Sequence, residues 1–208
     1  MENNKAIEAI SDIRSMMERS SKFISLSGLT GVFAGIFALA GAAAAYFYCA
    51  NSFGPHFIYD HLQPELKIDV LLFFCVDAFL VLSLSVGFGI WLSTRKSKKT
   101  GQSVLDQTAI RMLVNLAIPL LTGGIFCVAL IWHGIIGLIA PAMLIFYGLS
   151  LINACKYTIV DTRYLGYMEV ILGLTSCFFI GYGLLFWALG FGVFHILYGL
   201  FMYYNYEK

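Results

Sequence analysis

The chain has 208 residues, of which 60% are hydrophobic, 16% aromatic and only 12% charged. A soluble domain of this size needs more polar surface than that. The formal net charge is +1, so the chain as a whole has no basic bias toward nucleic acid.

Residues 4–19 (NKAIEAISDIRSMMER) predict a helix. Ile7, Ile10, Ile13 and Met17 recur on one face, and Glu8, Asp12, Arg14 and Glu18 occupy the others. The segment 1–22 is read as a cytoplasmic amphipathic helix that lies on the inner membrane surface or against the bundle, or docks a partner. It is too polar to open a secretory signal. The apolar segment behind it runs about 27 residues, beyond the ~7–15 of a signal core. Residues 23–49 are therefore expected to be a retained first span, and 23–208 a single transmembrane domain.

Five further spans follow at about 68–93, 112–132, 135–155, 166–187 and 190–205. The expected fold is an all-α, six-span helical bundle. Span one is striped with small residues, including Ser27, Gly28, Gly31 and Gly35, which let helices approach closely within the bundle or in a homo-oligomer. Pro119 and Pro141 should kink spans three and four. A tight turn is expected at Ala188-Leu189-Gly190, leaving the last span short. IFYGLSLI at 145–152 is echoed by ILYGLFMY at 196–203, and Gly123 and Cys127 by Gly173 and Cys177, which suggests a duplicated hairpin.

Lys and Arg set the orientation. Arg95, Lys96, Lys98, Lys99 and Arg111 follow span two, Lys5, Arg14, Arg19 and Lys22 precede span one, and Lys156 and Arg163 follow span four. The opposite side carries only Lys67. Both termini are therefore expected in the cytoplasm.

The polar residues inside spans are the candidate sites, because intramembrane ionisable groups are costly. Asp77 lies in FFCVDAFL, about 13 Å into span two at 1.5 Å per residue. It is read either as a proton- or cation-binding carboxylate or as a protonated group bonded to a neighbour. A contact with His195 is expected if spans two and six touch. Asn115, Asn153, Lys156 and Glu169 are expected near the inner face, with Lys156 and Glu169 either paired or lining a vestibule. His56, His61 and His133 fall on the outer side with Asp60 and Glu65, either solvated or as a metal or pH-sensing set. The five cysteines form no CxxC pair, and no nucleotide, protease or haem signature is present, so no cofactor is expected.

MMERSSKFISLSGLTGVFAGIFALAGA resembles the start of a family of multi-pass bacterial inner-membrane proteins. The hairpin pattern is also similar to an acid-resistance inner-membrane family built from three hairpins. The resemblance implies a bacterial inner-membrane location and transfers no site residue. The leading expectation is a non-enzymatic sensor or regulatory component in the lipid bilayer, contacting a cytoplasmic protein through residues 1–19 and 94–111. The alternative is a small transporter or channel using Asp77. An intramembrane enzyme is the third.

Overall fold

The structure, a computed structural model, describes residues 28–53, 68–100, 107–158 and 161–206. The expected helix at 4–19 and the loop carrying His56 and His61 lie outside the described residues. Within them every regular element is helical. α1 is Gly28–Phe53, α2 Ile68–Thr100 and α3 Gln107–Trp132. A 3-10 turn, Ile136–Leu138, opens into α4, Ile139–Ala154, and a second, Cys155–Tyr157, closes it. α5 is Thr162–Ser176. α6, Gly183–Trp187, passes through a π-helix, Ala188–Phe194, into α7, His195–Tyr206.

Among the described residues five stretches are long and apolar enough to cross a membrane: Gly28–Ser52, Ile68–Arg95, Gln107–Trp132, Ile136–Tyr157 and Gly183–Asn205. They fit a multi-pass membrane protein. α5 has 15 residues, roughly 22 Å at 1.5 Å per residue and short of a ~30 Å hydrocarbon core. The six expected spans are thus five long helices and one short one.

The boundary between the last two spans differs from expectation. The chain reverses at residues 177–182, where Gly181 takes a φ of 103° that other residues rarely adopt. Ala188-Leu189-Gly190 instead begins the π-helix inside one continuous span of 23 residues. Gly190 and Gly192 are there for close packing, and both are buried. The last span therefore has ordinary length. Pro119 lies inside α3 as expected. Pro141 is only the third residue of α4, in the first turn, where a missing N–H leaves no internal bond unmade.

Two glycine crossings tie the centre together. α4 and α5 run antiparallel: a Cβ on Gly148 would lie 2.6 Å from the Gly166 carbonyl oxygen, and one on Gly166 2.8 Å from that of Gly148. α1 and α7 repeat the arrangement, with Gly28 and Gly199 each facing the other's carbonyl at 2.6 Å. Only glycine permits such backbone contact. Gly148 and Gly199 are the glycines of the two echoed YG pairs, so each copy supplies one half of a backbone crossing. α2 packs chiefly on α1 and α3 chiefly on α4. Both turn large apolar side chains outward, such as Phe79 and Leu82, or Leu121 and Ile125. The middle of the bundle is left to α1, α4, α5 and the last span.

Candidate functional site

Glu169 lies halfway along α5, roughly 10 Å from its first residue at 1.5 Å per residue. Its side chain is fully buried. The helix begins at Thr162, four residues before the expected start of span five. That offset moves Glu169 from the inner edge to the middle of the bundle.

The carboxylate lies against the π-helix. A Cβ on Gly190 would come within 2.5 Å of both Glu169 Oε2 and Leu144 Cδ2. Position 190 must therefore lack a side chain for the carboxylate to fit. Neither oxygen has a hydrogen-bond partner. His195 Nδ1 lies 3.5 Å from Oε1, an ion-pair distance rather than a hydrogen bond.

His195 opens α7 and is 6% exposed. Nδ1 lies 3.0 Å from the Gly190 carbonyl oxygen and Nε2 2.7 Å from the Tyr147 hydroxyl. A carbonyl only accepts, so Nδ1 carries a hydrogen. In the neutral ring Nε2 then accepts from Tyr147, and in the charged ring it donates to the Tyr147 oxygen. Phe191 stacks on the imidazole and meets both Tyr147 and Trp187. The π-helix supplies three of these features at once: Gly190 for room, its carbonyl as acceptor and Phe191 as wall. Single π turns in membrane and soluble helices often mark functional sites.

A cavity of about 150 Å³ adjoins the ring. It is lined by Thr30 on α1, Tyr147 on α4, Thr158 before α5, Thr162 on α5, and His195 and Tyr198 on α7. Small and apolar residues such as Gly31, Ala34, Leu151 and Met202 complete it. Tyr198 and Thr162 are hydrogen-bonded at 2.9 Å. The Thr30 hydroxyl is buried with no partner.

Chemically, the arrangement is an acid, an imidazole and a phenol in series. The ring is hydrogen-bonded to the phenol at one nitrogen and lies 3.5 Å from the carboxylate at the other, so its charge state is felt by both. With one proton shared, the acid–base pair carries no net charge, either as two neutral groups or as an ion pair. Gaining or losing a proton leaves one uncompensated charge in a low-dielectric core.

The other expected site residues are elsewhere. Asp77 is half-buried on α2 and faces α1, where a Cβ on Gly41 would lie 3.3 Å from both its carboxylate oxygens. It does not approach His195, because α2 packs on α1 while the imidazole points to α4 and α5. Asn153 donates to the Asn115 carbonyl at 2.8 Å, and Asn115 donates to the Arg111 carbonyl at 2.8 Å. The first of these bonds joins α4 to α3, and the second lies within α3. Lys156 is exposed and does not reach Glu169. His133 is exposed at the end of α3, beside Gly134 with φ 71°. Among the described residues no three His, Cys, Asp or Glu side chains cluster as metal ligands.

The partners of the pair, Tyr147 and Gly190, and the hydroxyls of the cavity are missing from the sequence expectation. The signal that pointed to two of them was the YG echo, since Tyr147 and Tyr198 both line the cavity beside the crossing glycines. No protein-family model, curated protein or solved structure matches the chain.

Proposed function

We propose that the protein is a proton-responsive regulatory component of a bacterial inner membrane, with both termini cytoplasmic and the Glu169–His195 pair as its switch. One observation carries the reading: a fully buried carboxylate with an imidazole 3.5 Å away. Such a pair is costly in a membrane bundle, which makes it a functional candidate. The excess of Lys and Arg on the side of the termini supports the orientation. The amphipathic segment 1–19 and the basic stretch 94–111 are the surfaces that would carry the signal to a cytoplasmic protein.

The switch is tested by titrating the purified full chain in detergent while following Trp187 emission, with Trp91 and Trp132 replaced by Phe. Trp187 reaches His195 through Phe191. The emission should change with pH in the parent protein and stay flat in Glu169→Gln and His195→Gln. A parent protein that is flat from pH 4 to 9 would sink the proposal.

The cavity beside His195 favours a second reading, transport through the bundle, with Glu169 and His195 in the role expected of Asp77. Proton flux into proteoliposomes that disappears in Glu169→Gln, and not in Asp77→Asn, would select it over regulation.

A further inference from the structure

We infer that the pair rests as two neutral groups with its shared proton on Glu169, and that loss of this proton draws the Nδ1–H of His195 from the Gly190 carbonyl to the carboxylate. The inference deepens the proposed switch and rests on it.

The hydrogen bonds separate the two ways of sharing one proton. A neutral imidazole has one donor and one acceptor. His195 has a carbonyl oxygen, which only accepts, 3.0 Å from Nδ1, and a phenol, which can donate, 2.7 Å from Nε2. The neutral ring is therefore satisfied at both nitrogens. The charged ring gains nothing, because Tyr147 must then turn its hydroxyl hydrogen away from Nε2. The carboxyl group is the opposite case. Its charged form needs donors, and among the described residues neither Glu169 oxygen receives one. The Nδ1–H lies within reach of Oε1 but is directed at the Gly190 carbonyl. A buried charge without donors is far costlier than a buried carboxylic acid without a partner. The arrangement is that of an acid beside a neutral ring.

No cation stands by to favour the charged form. Neither α4 nor the last span contains a lysine or an arginine. α4 presents Tyr147, and α7 presents His195 and Tyr198, the latter bonded to Thr162. The stretch from Gly183 to Phe194 has no ionisable side chain, and α1 has none between Gly28 and Ala45. On α5 itself Arg163 is stacked over Tyr164, and Tyr164 and Tyr167 are exposed.

Deprotonation has one nearby answer. The acid gives its proton to a base from solvent and becomes a carboxylate, and no other covalent bond changes. The donor at hand is Nδ1–H, 3.5 Å from Oε1. To close that gap it must leave the Gly190 carbonyl. Gly190 and Phe191 both belong to the π-helix, and Phe191 stacks on the ring and meets Trp187. A turn of the imidazole is thus passed to the helix that carries the tryptophan.

The test uses the full chain with Trp187 as sole tryptophan and glutamate carboxyls labelled with 13C. Infrared spectra and emission are followed together from pH 6 to 9. A protonated-carboxyl band absent from Glu169→Gln should be present at pH 6 and fade on the same curve as the emission changes. Glu169→Gln imitates the neutral acid, so its flat emission should sit at the parent's low-pH level. Solid-state NMR with 15N-histidine and 13Cζ-tyrosine selects the ring coupled to Tyr147, which should be neutral with its hydrogen on Nδ1 at pH 6. This arm needs no substitution at the pair, so it carries the test if the variant fails to fold. An imidazolium at pH 6, or Glu169→Gln emission at the high-pH level, overturns the neutral pair while leaving the switch. A Glu169 band unchanged to pH 9 overturns the proton loss. If the emission still responds, the switch stands on another group; if it is flat, the switch falls as well.

Discussion

Gly148→Ala is the sharpest test of how the bundle is held. The new Cβ would lie 2.6 Å from the Gly166 carbonyl oxygen, 2.7 Å from Val170 Cγ2 and 2.9 Å from the Val170 nitrogen. Two of these are backbone atoms of a packed helix, so no rotamer change relieves them. Ordinary contact begins near 3.4 Å, so α4 and α5 must part by about 0.8 Å (3.4 less 2.6). A gap of that size forfeits roughly a quarter to a half of each dispersion contact it opens. Overpacking of this kind costs about 1–3 kcal/mol, offset by less than about 1 kcal/mol of improved helix propensity. The control is Gly124→Ala on α3, where a Cβ meets nothing within 4 Å and propensity alone should act. Reversible unfolding in mixed micelles should show Gly148→Ala less stable by at least about 1 kcal/mol and Gly124→Ala equal to or above the parent. Gly166→Ala added to Gly148→Ala should cost less than it does alone, since the helices have already separated. Equal stability of the 148 and 124 variants would refute the backbone crossing.

Three further outcomes follow from the site. Tyr147→Phe leaves Nε2 of His195 without its 2.7 Å partner, and should lower unfolding stability by about 1–3 kcal/mol, while Tyr164→Phe on the exposed surface should change it little. A double-mutant cycle on Glu169→Gln and His195→Asn should give a coupling of about 1 kcal/mol or more; strict additivity would show that the 3.5 Å approach carries no energy. Asp77→Asn should keep stability within about 1 kcal/mol of the parent and leave the pH response of Trp187 unchanged, because Asp77 sits on the far side of α1 from the pair. A flattened pH response in Asp77→Asn would move the switch to α2.

The helical class was legible because blocks of apolar residues longer than a bilayer is thick have few other destinations. Small-residue spacing in span one also read correctly as packing, since Gly28, Gly31 and Gly35 all face the last span. What misled was glycine used as punctuation. Gly181, Gly190 and Gly192 look alike in sequence, yet only Gly181 turns the chain, while the other two make room for Glu169 and Leu39. Misplacing that turn shortened the last span and pushed His195 outward. The partner of His195 was hidden for a related reason. Helix periodicity says which residues share a face but not which helix that face meets, so the sequence offered Asp77 to His195 and Glu169 to Lys156, whereas α2 packs on α1 and Glu169 meets His195.

The contact between α1 and the last span has a bearing on how the protein is made. A nascent chain releases α1 into the membrane long before the residues that cover it exist. At roughly 5–20 residues per second, about 8–30 seconds separate the synthesis of Gly35 from that of Gly192, its neighbour in the finished bundle. Through that interval the glycine face of α1 is without the last span and is open to lipid, to the helices made before it or to another copy of the chain. The Glu169 carboxylate waits in the same way for the histidine 26 positions behind it (195 less 169). Closure of the bundle and assembly of the acid–imidazole pair are therefore one late event, completed when the last helix slides in between α1 and α5.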